Sequence, residues 1–320
     1  MPLVKSNYHP KFLFKNGHFS TIYSAKLRPI PKLKQERERF LLKDGDFLDI
    51  DWSFSAEKTK KVVILLHGLE GNAQRVYIKG QAKILAENGW DVAAMNHRGC
   101  SGEDNLLYLS YNSGRTNDLE EVIAHILQKN IYNDISLIGF SLGGNLVLKY
   151  LGERDSLPKE LKKGVAVSSP LHLKGSLDAL NKPENWIYNN TFVRDLRKKY
   201  KRKMPLFPQK MNIATYNKIH TLLDFDTIYT APAHGFKDAL DYYEQSSSLQ
   251  FLPTIKTPVL ILNASNDSFL SPSCYPHELA SQSKNIFLET SRYGGHVGFH
   301  ISNTIYYSEE RVMEFLLQKQ

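Results

Sequence analysis

Three residues of this chain have the types and the order needed for serine attack on a carbonyl: Ser141, Asp267 and His296. A serine hydroxyl is a weak nucleophile at neutral pH, so it needs a base to take its proton and an acid to orient that base. Ser141 lies in Gly139-Phe140-Ser141-Leu142-Gly143, between the apolar run 135–138 and the helical run 146–151. This predicts a strand, a sharp turn and a helix, with the serine at the tip. The flanking glycines remove Cβ atoms that would collide there, and the turn aims the Leu142 N–H at the space above the hydroxyl. Asp267 stands just past the apolar run 259–262, and His296 sits in Tyr293-Gly294-Gly295-His296-Val297-Gly298 after the run 286–288.

Competing assignments fit less well. Ser168-Ser169-Pro170 offers no carboxylate after the strand 164–167, and Asp224, Asp226, Asp238 and Asp241 fall in a different kind of segment. His300 is farther from a strand end than His296. A metal pair of His296 and His300 is opposed by the surrounding glycines and by the lack of a third ligand, so no metal or cofactor is implied. His67-Gly68-Leu69 follows the strand 61–66, which lets the Leu69 N–H join that of Leu142 as an oxyanion hole. His67, Glu70, Trp186 and Phe269 are candidates for the substrate pocket, although His67 also reads as a residue that holds its loop. Cys100 reads as a packed thiol, since no base is placed for it. Trp186, Tyr188 and Phe192 either line an acyl pocket or pack as local core.

The elements that must position these residues alternate. A hairpin is expected around Asp44-Gly45-Asp46, then strands 61–66, 91–96, 135–138, 164–167, 259–262 and 286–288. Helices are expected over 77–88, 117–129 and 309–317, the second capped by Asn117 with Glu120 three residues on. Such alternation means an α/β fold: a mostly parallel central sheet with helices on both faces. It stops at Pro170 and resumes near Pro258; the intervening roughly 85 residues, rich in aromatic and basic types, read as a helical cap over the carboxyl ends of the strands. The expected organisation is a core of 1–170 and 251–320, with an N-terminal extension 1–38, and a cap of 171–250.

Two cysteines supply neither a disulfide framework nor a metal set, and no run is long enough to span a membrane or serve as a signal peptide. A cytoplasmic protein is therefore expected. The net charge of +8 concentrates in the run 194–203. That run reads as a solvated helix face or as weak attraction to an anionic membrane surface. No nucleic-acid-binding signature accompanies it.

Further blocks sharpen the reading: Asn16-Gly17-His18, Asp44-Gly45-Asp46-Phe47-Leu48-Asp49-Ile50-Asp51-Trp52, His67-Gly68-Leu69-Glu70-Gly71, Asn96-His97-Arg98-Gly99-Cys100-Ser101-Gly102 and Ala231-Pro232-Ala233-His234-Gly235-Phe236. Together with Gly139-Phe140-Ser141-Leu142-Gly143-Gly144-Asn145 and Asp241-Tyr242-Tyr243, they resemble the YheT-like family of α/β-hydrolases, which includes embryogenesis-associated proteins and membrane-anchored lipid hydrolases. The resemblance implies the α/β-hydrolase fold, a charge relay of Ser141, Asp267 and His296, and hydrolysis of carboxylic esters, acylglycerols and phospholipids among them. The chain departs from the family at Asn266-Asp267-Ser268-Phe269, where paired aspartates precede Pro-Phe, and at Tyr111-Asn112-Ser113-Gly114, where the second residue is often His. The expectation is a serine esterase for short- or medium-chain or lipid esters, working through an acyl-enzyme. The alternatives are an acyltransferase with the same triad and a non-catalytic ligand-binding hydrolase fold.

Overall fold

A computed structural model describes residues 3–318. Its centre is a nine-stranded sheet in the order β1-β9-β8-β7-β6-β4-β5-β3-β2. The strands are β1 (Leu3–Val4), β2 (Glu36–Leu41), β3 (Phe47–Ser53), β4 (Lys61–Leu66), β5 (Asp91–Met95), β6 (Asp134–Phe140), β7 (Leu161–Val167), β8 (Val259–Ala264) and β9 (Ile286–Ser291). Every pairing is parallel except β2 with β3 and β3 with β5. Val62 to Leu66 are all buried, as a strand covered on both faces requires. The hairpin β2–β3 turns through Gly45 at φ +85°, a conformation that costs other residues a steric clash.

Helices cover both faces: α1 (Gly17–Ile22), α2 (Val76–Glu87), α3 (Asn117–Gln128), α4 (Leu142–Glu153), α5 (Leu173–Leu180), α6 (Trp186–Lys203), α7 (Ile213–Tyr216), α8 (Leu222–Phe225), α9 (Ala231–His234), α10 (Ala239–Ser246), α11 (His277–Gln282) and α12 (Tyr307–Leu317). Among the described residues, the segment between β7 and β8 holds helices and turns but no strand. It has its own apolar cluster, built on Leu177, Val193, Leu196, Tyr200, Phe225 and Tyr229. No helix of the described residues is long and apolar enough to cross a membrane.

Several elements differ from expectation for physical reasons. The extension 1–38 contributes β1, which pairs Leu3 with Leu288 and Val4 with Glu289; two residues are too few to show a strand period. Strand β7 starts earlier than its apolar run, at Leu161, because Lys163 is buried with its ammonium on the carbonyls of Phe315 (2.8 Å) and Leu316 (3.0 Å). There it meets the negative end of α12. Asn117 is not the cap of α3: Thr116 is, and its hydroxyl bonds Glu153 rather than the helix.

The basic run is not simply a solvated face. On α6, Lys199 and Lys203 point inward and are 3% and 1% exposed, while Arg194, Lys198, Lys201 and Arg202 face out. Lys203 donates to the carbonyls of Leu107 (2.6 Å) and Tyr108 (3.0 Å), and burial brings its pKa down to about 8.

Candidate active site

The turn from β6 into α4 holds Ser141 at φ +52° and ψ −122°, and its N–H donates to the Val167 carbonyl at 2.9 Å. A Cβ on Gly139 would stand 2.1 Å from the Gly143 carbonyl oxygen, and one on Gly143 would stand 2.4 Å from that of Leu66. Only glycine lets strand, helix and neighbouring β4 close this far, so the strain is held by packing on three sides.

His296 and Asp267 come from the loops after β9 and β8. The imidazole Nδ1 lies 2.8 Å from Asp267 Oδ2, and the carboxylate is itself oriented by the Phe269 N–H, which donates to Oδ1 at 3.0 Å. The Phe269 ring stacks on that of His296 with centroids 4.3 Å apart. Three amides around the histidine are also pinned. His296 N–H donates to Thr21 Oγ1 at 2.8 Å, Gly295 N–H to Asn266 Oδ1 at 3.0 Å, and Val297 N–H to Ser168 Oγ at 2.9 Å.

Ser141 and His296 line two cavities that meet at them. The smaller, about 140 Å³, runs under α5, α6 and α8 among Leu173, Leu177, Leu196, Leu222 and Phe225. The larger, about 360 Å³, lies between α1, α2 and α6. Leu69, Glu70, Phe192 and Phe269 border both. Beside Leu69, the Gly68 N–H donates to Tyr77 OH (3.1 Å) and the Glu70 N–H to Tyr111 OH (2.8 Å). Among the described residues no protein acceptor takes the N–H of Leu69 or of Leu142.

Glu70, at φ +49°, accepts from Tyr111 OH at 2.8 Å and from Lys199 Nζ at 2.7 Å, so α6 is tied to the loop after β4 through a buried ion pair. Cys100 Sγ lies 3.2 Å from the same ammonium, yet burial pushes the thiol up to about 11 and it stays protonated.

Two pocket candidates are not where expected. His67 borders neither cavity: it is fully buried, its Nε2 accepting from the His97 N–H at 3.1 Å and its Nδ1 donating to the Gly68 carbonyl at 2.8 Å. Burial, with His97 beside it, holds its pKa well below the usual value, so it is a neutral strut. Trp186 is 67% exposed at the outer start of α6 and borders neither cavity, because the part of that helix turned to the cavities begins one residue later, with Ile187 and Tyr188. His300 is stacked on Phe14 at 3.6 Å, and no group of metal-binding side chains occurs among the described residues. Thr21 and Ser168, which hold the histidine loop, were not singled out from sequence; the one hint was the Asn16-Gly17-His18 block just before Thr21.

Residues 61–302 match the family model described as alpha/beta hydrolase fold. The chain is 31% identical to the candidate esterase YheT of Escherichia coli K12 over 89% of this chain and 85% of that one. It is 28% identical to the mouse phospholipase ABHD3 over 93% of this chain and 74% of that one. The structure is similar to the Pyrococcus furiosus esterase Pf2001, with a TM-score of 0.58 and 18% identity over 90% of this chain and 94% of that one. The elbow, the parallel sheet and these likenesses together make the chain a member of the α/β-hydrolase family, in its YheT-like group.

Proposed function

We propose that this hydrolase is a serine esterase, with Ser141 as nucleophile, His296 as general base and acid, and Asp267 as the group that orients the imidazole. The observation that carries the reading is the placement of a strained serine where two cavities meet beside a carboxylate-held histidine. An ester has two arms, and this geometry offers each a separate space. The apolar smaller cavity suits a short or medium acyl chain, and the larger one the alcohol.

In the first half-reaction Ser141 Oγ bonds to the carbonyl carbon while His296 Nε2 takes the hydroxyl proton. The carbonyl oxygen becomes an oxyanion, which accepts from the Leu69 and Leu142 amides. Collapse breaks the bond to the alcohol, which leaves with the proton from His296. Water then attacks the acyl-enzyme with His296 again as base; collapse breaks the acyl–Oγ bond, Ser141 Oγ takes the proton from His296, and the carboxylic acid departs. The names of the relatives, an esterase and a phospholipase, support esters of lipids as the substrate class.

The test is hydrolysis of p-nitrophenyl esters of graded acyl length by wild type and Ser141→Ala, with fluorophosphonate labelling alongside. Turnover and labelling both lost in the variant are expected. A variant that still labels or turns over would remove Ser141 as the nucleophile. An acyl-enzyme that passes to added alcohols in preference to water would make the activity acyl transfer instead.

A further inference from the structure

The wall of the smaller cavity carries two carboxyl groups, Glu70 and Asp226. Glu70 is neutralised by Lys199. Among the described residues Asp226 has no such partner. Its Oδ1 accepts from Thr230 Oγ1 at 2.6 Å and its Oδ2 from Tyr243 OH at 2.6 Å. Burial carries its pKa up to about 6, opposed by those two hydroxyls; no cation of the described residues contributes. Both oxygens accept, as those of an ionised carboxylate do, in a wall shared with Phe225, Tyr229 and Tyr242.

A partly buried carboxylate in a largely apolar wall is ordinarily held by a cation or by several N–H donors. Here two neutral hydroxyls do it, and each oxygen keeps a lone pair beyond the bond it accepts. A protonated amine entering the cavity would gain charge attraction and the faces of the aromatic rings, and a hydroxyl would gain a hydrogen bond. A methyl-ended chain gains neither and leaves the carboxylate stripped of water.

We propose that Asp226 makes the smaller cavity a subsite for an acyl chain that ends in a hydrogen-bond donor, either a protonated amine or a hydroxyl. The proposal rests on the esterase reading of Ser141. It assigns the chemistry of a part of the acyl chain that the reacting residues leave open.

The experiment compares four p-nitrophenyl esters of one acyl length, ending in methyl, hydroxyl, ammonium and carboxylate, with wild type and Asp226→Asn. Asparagine is nearly the same shape, and its amide can still pair with both hydroxyls if one of them turns to accept. In wild type the hydroxyl and ammonium esters should exceed the methyl ester in kcat/KM by roughly tenfold or more, with the carboxylate ester slowest. In Asp226→Asn the ammonium advantage should vanish while the hydroxyl advantage is partly kept, which separates the two donors. Turnover of the methyl ester should persist in Asp226→Asn and rise, because no carboxylate is then stripped of water, and that turnover reports an intact fold and an intact esterase.

Equal rates for all four esters in wild type would overturn the proposal, whatever the variant does. So would a variant slowed equally on all of them. If no ester is turned over, binding of the methyl esters of 6-aminohexanoate and hexanoate to Ser141→Ala, read by calorimetry, decides it separately. A preference for the amine there keeps the subsite while the esterase reading fails; equal or absent binding removes the subsite too.

Discussion

His67 and His97 lie against each other beneath the loop after β4, ring centroids 4.2 Å apart, with burial holding both imidazoles neutral. The folded-state pKa of His97 falls from 6.5 to about 4. Between those values the unfolded chain binds a proton that the folded chain refuses, so stability drops as the pH falls through that window and is unaffected above it. Asp226 works in the opposite sense. Its folded pKa lies above the ordinary 3.8, at about 6, so the unfolded chain releases its proton first and stability declines as the pH rises from 3.8 to about 6. Urea midpoints across this range should show His97→Gln flattening the acid loss and Asp226→Asn removing the decline, if either variant folds with wild-type m-value. In the proposed triad, Asp267→Asn keeps the shape but favours the wrong imidazole tautomer, and kcat should fall by roughly 10⁴. A drop under tenfold would mean that Asp267 does not orient the base.

The elbow between β6 and α4 is the element most fully written in local sequence, because its two glycines and the serine lie within five residues, although β4 closes on the second glycine. Gly143→Ala would press a methyl to 2.4 Å from the Leu66 carbonyl, and thermal or urea unfolding should show a loss of about 1–3 kcal/mol. Other elements depend on contacts the sequence does not display. The period of α6 does not tell which lysines of a basic run turn inward; the partners of Lys199 and Lys203, at Glu70 and around Leu107, lie about a hundred residues upstream and decide it. The exposure of Trp186 and the burial of Lys163 on the carbonyls of Phe315 and Leu316 are likewise set by distant contacts. Lys199→Met removes one half of a buried pair and leaves Glu70 uncompensated, so it should destabilise by roughly 3–5 kcal/mol. Replacing both, Lys199→Met with Glu70→Gln, should recover much of that loss; no recovery would show that the two side chains do not act as a pair.

At the scale of the molecule, the proposed order Ser141, Asp267, His296 is readable in the sequence because each residue follows a strand of the parallel sheet. The supports of the histidine are not. Ser168 lies beyond β7, and Thr21 is separated from His296 by 275 positions. Thr21→Val should leave the fold and KM near wild type while lowering kcat by roughly tenfold, since a displaced histidine loses the aligned geometry that proton transfer needs. Unchanged kcat would make that contact ornamental.

The same contact has a consequence for the chain as it is made. A ribosome adds residues from the N-terminus at roughly 5–20 per second, and early segments fold before late ones exist. The serine elbow can form once β7 is out, when the stretch around Thr21 that cradles the histidine loop is already made and the loop itself is not. On the proposed triad, hydrolytic competence would therefore arrive late, when the histidine loop reaches Thr21, and a chain interrupted before His296 would carry Ser141 in its turn with no base beside it.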